Sequence, residues 1–150
     1  MEKHIPLMEE SPIERLGEDE CWALLAGNDL ARLALRRGDG VDIFPVNYTV
    51  NDRRIFFRSA PGSKLVDLTR DPAVAFEIDG AEGRVWWSVV VRGRAHPLET
   101  SAEVERADGL ALKPWIPTLK YVFVRIEPDS LSGRSFHRGP EPDRYGIQDY

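Results

Sequence analysis

The chain has 150 residues, enough for one domain with a core of its own and no need of disulfide or metal staples. Its 20 basic and 25 acidic side chains leave a formal charge of −5, which excludes a general binder of nucleic acid or of anionic membranes. No apolar run can span a bilayer, the start lacks a signal core, and Cys21 is the one cysteine, so the expected setting is cytoplasmic, without an internal disulfide or a cysteine-based metal site.

In chain order, residues 1–15 hold two prolines and no lasting periodicity, and are expected to be an extended lead. Glu18, Asp19 and Glu20 then open a short helix with acids in its first turn, Cys21, Leu24 and Leu25 on its apolar face, and Gly27-Asn28 at its end. Strands follow at 30–36, 41–50 and 54–59, joined by Gly38-Asp39-Gly40 and Asn51-Asp52-Arg53 turns. The pattern predicts a helix over 64–69, closed by Asp71-Pro72, then strands at 73–79 and 84–94. A second helix is expected near 101–110, an irregular passage around Trp115, a sixth strand at 120–127 and a loosely ordered tail from 139 to 150. Six strands so close in sequence leave no room for parallel crossovers, which predicts a single mainly β (α+β) domain built on an antiparallel barrel with short flanking helices.

The segment Arg58-Ser59-Ala60-Pro61-Gly62-Ser63-Lys64-Leu65 combines three sources of anion affinity. Ser63 stands at the expected N-cap of the 64–69 helix, whose first amides and dipole favour a negative group, a phosphate being the usual occupant. Arg58 adds a planar fork and Lys64 a mobile point charge. A capped helix beside two solvated cations is the competing reading. On the strand at 41–50, Phe44, Val46, Tyr48 and Val50 share one face and Asn47 and Thr49 the other, where the Asn47 amide suits either a polar ring edge or a cross-strand bond. Residues 85–91 are apolar on both faces, so something must cover the outer one, and Trp87 and Ser88 point to opposite sides. His4, His96 and His137 lack ligand spacing and no serine has a nucleophile-elbow context, so a bound cofactor is the expected carrier of any chemistry.

Taken together, Phe44-Pro45-Val46-Asn47-Tyr48, Phe57 to Leu65, Ala75-Phe76-Glu77-Ile78-Asp79 and Trp87 to Ala95 resemble, in order and spacing, the pyridoxamine 5′-phosphate oxidase-like flavoproteins. The likeness extends over roughly residues 20–136, nearest to the small single-domain members. It implies a six-stranded split β-barrel that forms a homodimer with FMN at the subunit interface. It further implies that Arg58, Ser59, Ser63 and Lys64 cradle the phosphate, that Asn47 approaches the isoalloxazine ring, and that Trp87, Ser88 and Trp115 meet the cofactor, with Arg134 a weaker candidate. Residues 131–138 do not reproduce the oxidase's substrate motif, so the implied activity is that of a flavin-dependent oxidoreductase acting on a different small molecule. A deazaflavin-dependent reductase and a non-catalytic flavin-binding module are the alternatives.

Overall fold

In the computed structural model, residues 13–59, 62, 67, 68, 70–98 and 122–138 are described. They form β1 (Ile13–Leu16), α1 (Glu18–Ala26), β2 (Leu30–Arg37), β3 (Gly40–Asn51), β4 (Arg54–Ser59), β5 (Ala73–Glu82), β6 (Val85–Pro97) and β7 (Val122–His137). All pairings are antiparallel, in the order β1-β7-β4-β3-β2-β5-β6, and a further β7–β6 ladder closes β2 to β7 into a ring. The fold is an antiparallel split β-barrel, as the sequence predicts.

Alternation along each strand fills the ring. Leu33, Leu35, Val46, Tyr48, Ile55, Phe57, Phe76, Ile78, Val89, Val91, Val124 and Ile126 point inward and are essentially buried. Tyr48 meets Phe76 edge-on at 5.0 Å, and its hydroxyl donates to the Leu25 carbonyl at 2.6 Å, tying the end of α1 to the barrel. Helix α1 docks through Cys21 and Leu25, with Trp22 and the half-buried Leu24 beside them. Gly133 permits this: a Cβ there would lie 2.5 Å from Cys21 Sγ. Burial pushes the Cys21 thiol up, with Glu20 and Glu18 adding to the shift.

The β3–β4 turn places Asp52 and Arg53 at φ 52° and 54°, the pair of positive values that a two-residue hairpin requires. For Arg53 this conformation is unfavourable. It is offset by ion pairs to Glu18 and Asp19 and by the position of its guanidinium 5.9 Å from the Trp22 ring.

Two expectations need correction. Residues 13–15 are not extended lead but part of β1, whose hydrogen-bonding partner, the far end of β7, is distant in sequence. The last strand does not stop at residue 127. It runs on to His137 through Pro128, Ser130 and Gly133, residue types that read as turn, because β6 pairs with it from Val124 to His137. The ladder shifts register between Arg92 and Gly93, where Gly93 faces Pro128; a Cβ on Gly93 would lie 2.3 Å from the Glu127 carbonyl oxygen. Likewise β5 continues past Asp79 because Gly80 lies beneath the Trp87 ring, 2.5 Å from where its Cβ would stand. The expected helix at 101–110, the tail at 139–150 and most of the expected helix at 64–69 lie outside the described residues.

Candidate functional site

On the outer face of the barrel, β3, β4 and β7 present a continuous row. Leu30 pairs with Asn47, Arg58 pairs with Phe123, and the Leu98 amide donates to the Phe123 carbonyl at 2.9 Å. The last β3–β4 pair is Tyr48 with Phe57, so Asn47 and Arg58 are the next residues on their strands and share the outer face. The adjacent row is Thr49, Phe56, Arg125 and His96. Phe123 and Leu98 are buried although they face away from the barrel interior, and with Phe56 they make a small apolar cluster separate from the main core.

Charge is placed over this apolar floor. The Arg58 guanidinium lies 5.2 Å from the centroid of the Phe123 ring, which restricts the fork and aims it. Arg125 pairs with Glu127 at 2.9 Å, and Glu127 also accepts both oxygens' contacts from Arg54 Nε at 3.0 Å. Arg54 is further paired with Asp52 at 2.9 Å, and the Glu127 hydrogen bond holds its guanidinium above the ordinary value. Asn47 Nδ2 donates to the Asp29 carbonyl at 3.1 Å, the backbone bond that competes with a ligand role. The row therefore offers one stacked cation, an amide and an apolar platform, a combination suited to an anionic group attached to a flat ring.

The candidate residues divide clearly. Asn47, Arg58 and Ser88 face outward, whereas Ser59 is buried at the inward end of β4 and Trp87 packs against the core over Gly80. Ser88 is opposite Asp79 and Arg134, two strands from Arg58, and does not join its row. Ser63, Lys64 and Trp115 lie outside the described residues. Phe56, Phe123 and Arg125 were not singled out from the sequence as site residues. Their signal was the alternation of 54–59 and of 121–126, which puts them on the same side as Arg58 once the two strands are paired. Among the described residues no group of three His, Cys, Asp or Glu side chains converges, and no helix is long and apolar enough to cross a membrane.

The family described as pyridoxamine 5′-phosphate oxidase matches residues 17–135. A pyridoxamine 5′-phosphate oxidase candidate from Corynebacterium glutamicum is 41% identical with a TM-score of 0.77, covering 87% of this chain and 98% of its own. An FAD binding protein of Mycobacterium smegmatis is 36% identical with a TM-score of 0.73, over 84% of this chain and 100% of its own. An FAD-binding protein of Mesorhizobium loti is 28% identical with a TM-score of 0.67, over 82% and 97%. With the barrel fold and a match running from α1 into β7 in agreement, the chain belongs to the pyridoxamine 5′-phosphate oxidase family.

Proposed function

We propose that this protein binds a flavin nucleotide on the outer row of β3, β4 and β7 and acts as a flavin-dependent oxidoreductase on a small molecule. The observation that carries the reading is the Arg58 fork held over the Phe123 ring at the end of β4, immediately before the Pro61-Gly62-Ser63-Lys64 segment. In this reading Arg58, Ser63 and Lys64 together hold the 5′-phosphate that FMN and FAD have in common. Asn47 presents its side-chain carbonyl to the polar edge of the ring system, and the apolar surface of Phe56 excludes water beside it. Bound there, the flavin supplies hydride transfer, and the protein's part is to hold, orient and desolvate it. FMN is the preferred ligand, and the FAD-binding relatives support flavin chemistry of either length. A homodimer with the cofactor between subunits, to which Ser88 and Trp115 contribute, completes the proposal.

The test is substitution of the phosphate-holding cations. Arg58→Ala and Lys64→Ala are each expected to weaken FMN binding by about 1.5–3 kcal/mol, the scale of a hydrogen bond to a charged group. Unchanged flavin affinity in the double variant, measured by fluorescence titration of folded protein, would remove the phosphate cradle.

A further inference from the structure

The barrel is open along one side. Strands β3 and β4 pair from Asn51 and Arg54 as far as Tyr48 and Phe57, and then part. Among the described residues, β3 from Gly40 to Asn47 pairs with β2 alone, and Arg58 and Ser59 pair with β7 alone. Asn47 and Arg58 stand at the head of this gap, one on each lip. Some six residues further along β3, about 20 Å away, a single side chain spans it again.

That side chain is Arg37. Leu33 and Leu35 turn into the barrel and are buried, and Arg37, two residues on, takes the same direction at the barrel mouth. Its Nη1 lies 3.0 Å from Asp42 Oδ2 on β3, and its Nε 3.3 Å from Asp67 Oδ2, in the segment that follows β4. Its guanidinium is also 6.0 Å from the centroid of the Phe44 ring, which packs against the core.

The two carboxylates are not equivalent. The Asp42 side chain is 46% exposed, and a pair of that kind contributes little. The Asp67 side chain is 14% exposed, and its buried Oδ2 accepts no hydrogen bond among the described residues, so the guanidinium is its compensation. The next residue, Leu68, is buried in the main core, and the Asp71 amide donates to the Asp67 carbonyl at 2.9 Å. Arg37 therefore grips a point that is already seated. Lys64 and Ser63 come three and four residues before Asp67, which keeps them within about 14 Å of it.

We propose that Arg37 is a positioning residue for the flavin site: by joining Asp42 to Asp67 it fixes the gap that the flavin bridges, ring at the Asn47 lip and phosphate at the Arg58 lip. This rests on the flavin reading above. The role is indirect. With Asp67 held against β3, the phosphate-binding residues that precede it have less freedom to lose when the ligand arrives.

The experiment compares the wild-type chain with Arg37→Met, Arg37→Lys, Asp67→Asn and the Arg37→Met, Asp67→Asn double variant. Each is titrated with FMN and with riboflavin, and its amide exchange is followed without flavin. Arg37→Met and Asp67→Asn should each weaken FMN binding about tenfold while riboflavin binding changes little, and the double variant should be no worse than either. Arg37→Lys should fall between, because one ammonium cannot serve two carboxylates as the fork does. In flavin-free protein the Asp71 amide should exchange faster in both single variants, with the β6–β7 ladder unchanged. Arg94→Met removes the same charge from a pair with Asp129 and should keep the wild-type preference for FMN over riboflavin.

Unaltered exchange at Asp71 in Arg37→Met overturns the strut, whatever the flavin does. Faster exchange with the wild-type FMN preference retained overturns its link to the site. Equal loss of that preference in Arg94→Met reduces the effect to net charge and overturns it as well. A wild-type chain that binds FMN no better than riboflavin removes the flavin reading, and the inference with it, before any variant is compared.

Discussion

Two outward-facing stretches of the same ring treat arginine in opposite ways. Across β2 and β5, Arg32 is shared between Glu77 and Asp79 at 2.8 and 2.9 Å, and its charge is neutralised within the sheet. Across β1, β6 and β7, Arg15 and Arg134 oppose each other with no carboxylate between them. Both rows are built from the same strand chemistry and both face out, so the difference is not one of fold. A neutralised cluster stabilises the sheet at neutral pH and asks for nothing further, whereas an unneutralised one keeps its field for something outside the chain. Arg58 is restrained by an aromatic ring, one row along the same outer face from Arg125, which shares Glu127 with Arg54.

The comparison holds only if stability resides inside the ring and the outer rows are free to differ. Phe76→Ala gives the largest effect: the side chain is fully buried against Tyr48, and its loss should cost about 3–5 kcal/mol in a denaturant melt. A cost under about 1 kcal/mol would mean that the interior is not close-packed.

Tyr48 sharpens the same point through pH. Burial, then the charge of Asp29, pushes its hydroxyl above the usual tyrosine value of 10.0. Below that value both the folded and the unfolded chain keep the proton, and the contribution to stability is complete. Above it the unfolded chain ionises first, so stability falls as pH rises. Tyr48→Phe should lower stability at neutral pH by about 0.5–1.5 kcal/mol, by leaving the Leu25 carbonyl only the longer hydrogen bond from the Asn28 amide, and should flatten this alkaline slope. Thermal melts between neutral and strongly alkaline pH read both effects.

The smallest effect is the most discriminating, because its sign differs between the two rows. Arg134→Ser removes a like-charge contact and should stabilise the fold by about 0.2–1 kcal/mol. Arg32→Ser leaves Glu77 and Asp79 facing each other and should destabilise it. Glu77 already has its carboxyl raised by burial and by Asp79, against the pull of Arg32, so the loss in Arg32→Ser should diminish as acid protonates the pair. Equal signs for the two variants would end the distinction between the rows.

How far these features were legible in the sequence follows from which forces are local. Strands β2 to β6 and helix α1 could be read because alternation, turn residues and a glycine stop are short-range signals. The second half of β7 and all of β1 were not, since Ser130, Ser132 and Gly133 become strand only through a ladder to β6 and to a segment more than a hundred residues earlier. The same limit applies to the site. Alternation placed Asn47 and Arg58 on outer faces, but only the pairing of β4 with β7 puts Phe123 under Arg58, and only the packing over Gly80 turns Trp87 toward the core. Exposed arginines and tryptophans read singly as ordinary surface. Their grouping at one end of the barrel is a property of the register.

The most direct test of the central claim is titration of the purified chain with FMN, FAD, riboflavin and a deazaflavin cofactor, following tryptophan fluorescence. Saturable quenching by FMN and FAD, with riboflavin binding at least tenfold weaker, is the expected result, because in the proposed reading Arg58 holds the phosphate that riboflavin lacks. Preference for the deazaflavin would transfer the same cradle to a reductase. Equal binding of riboflavin and FMN, or no response to any of the four, would contradict the account.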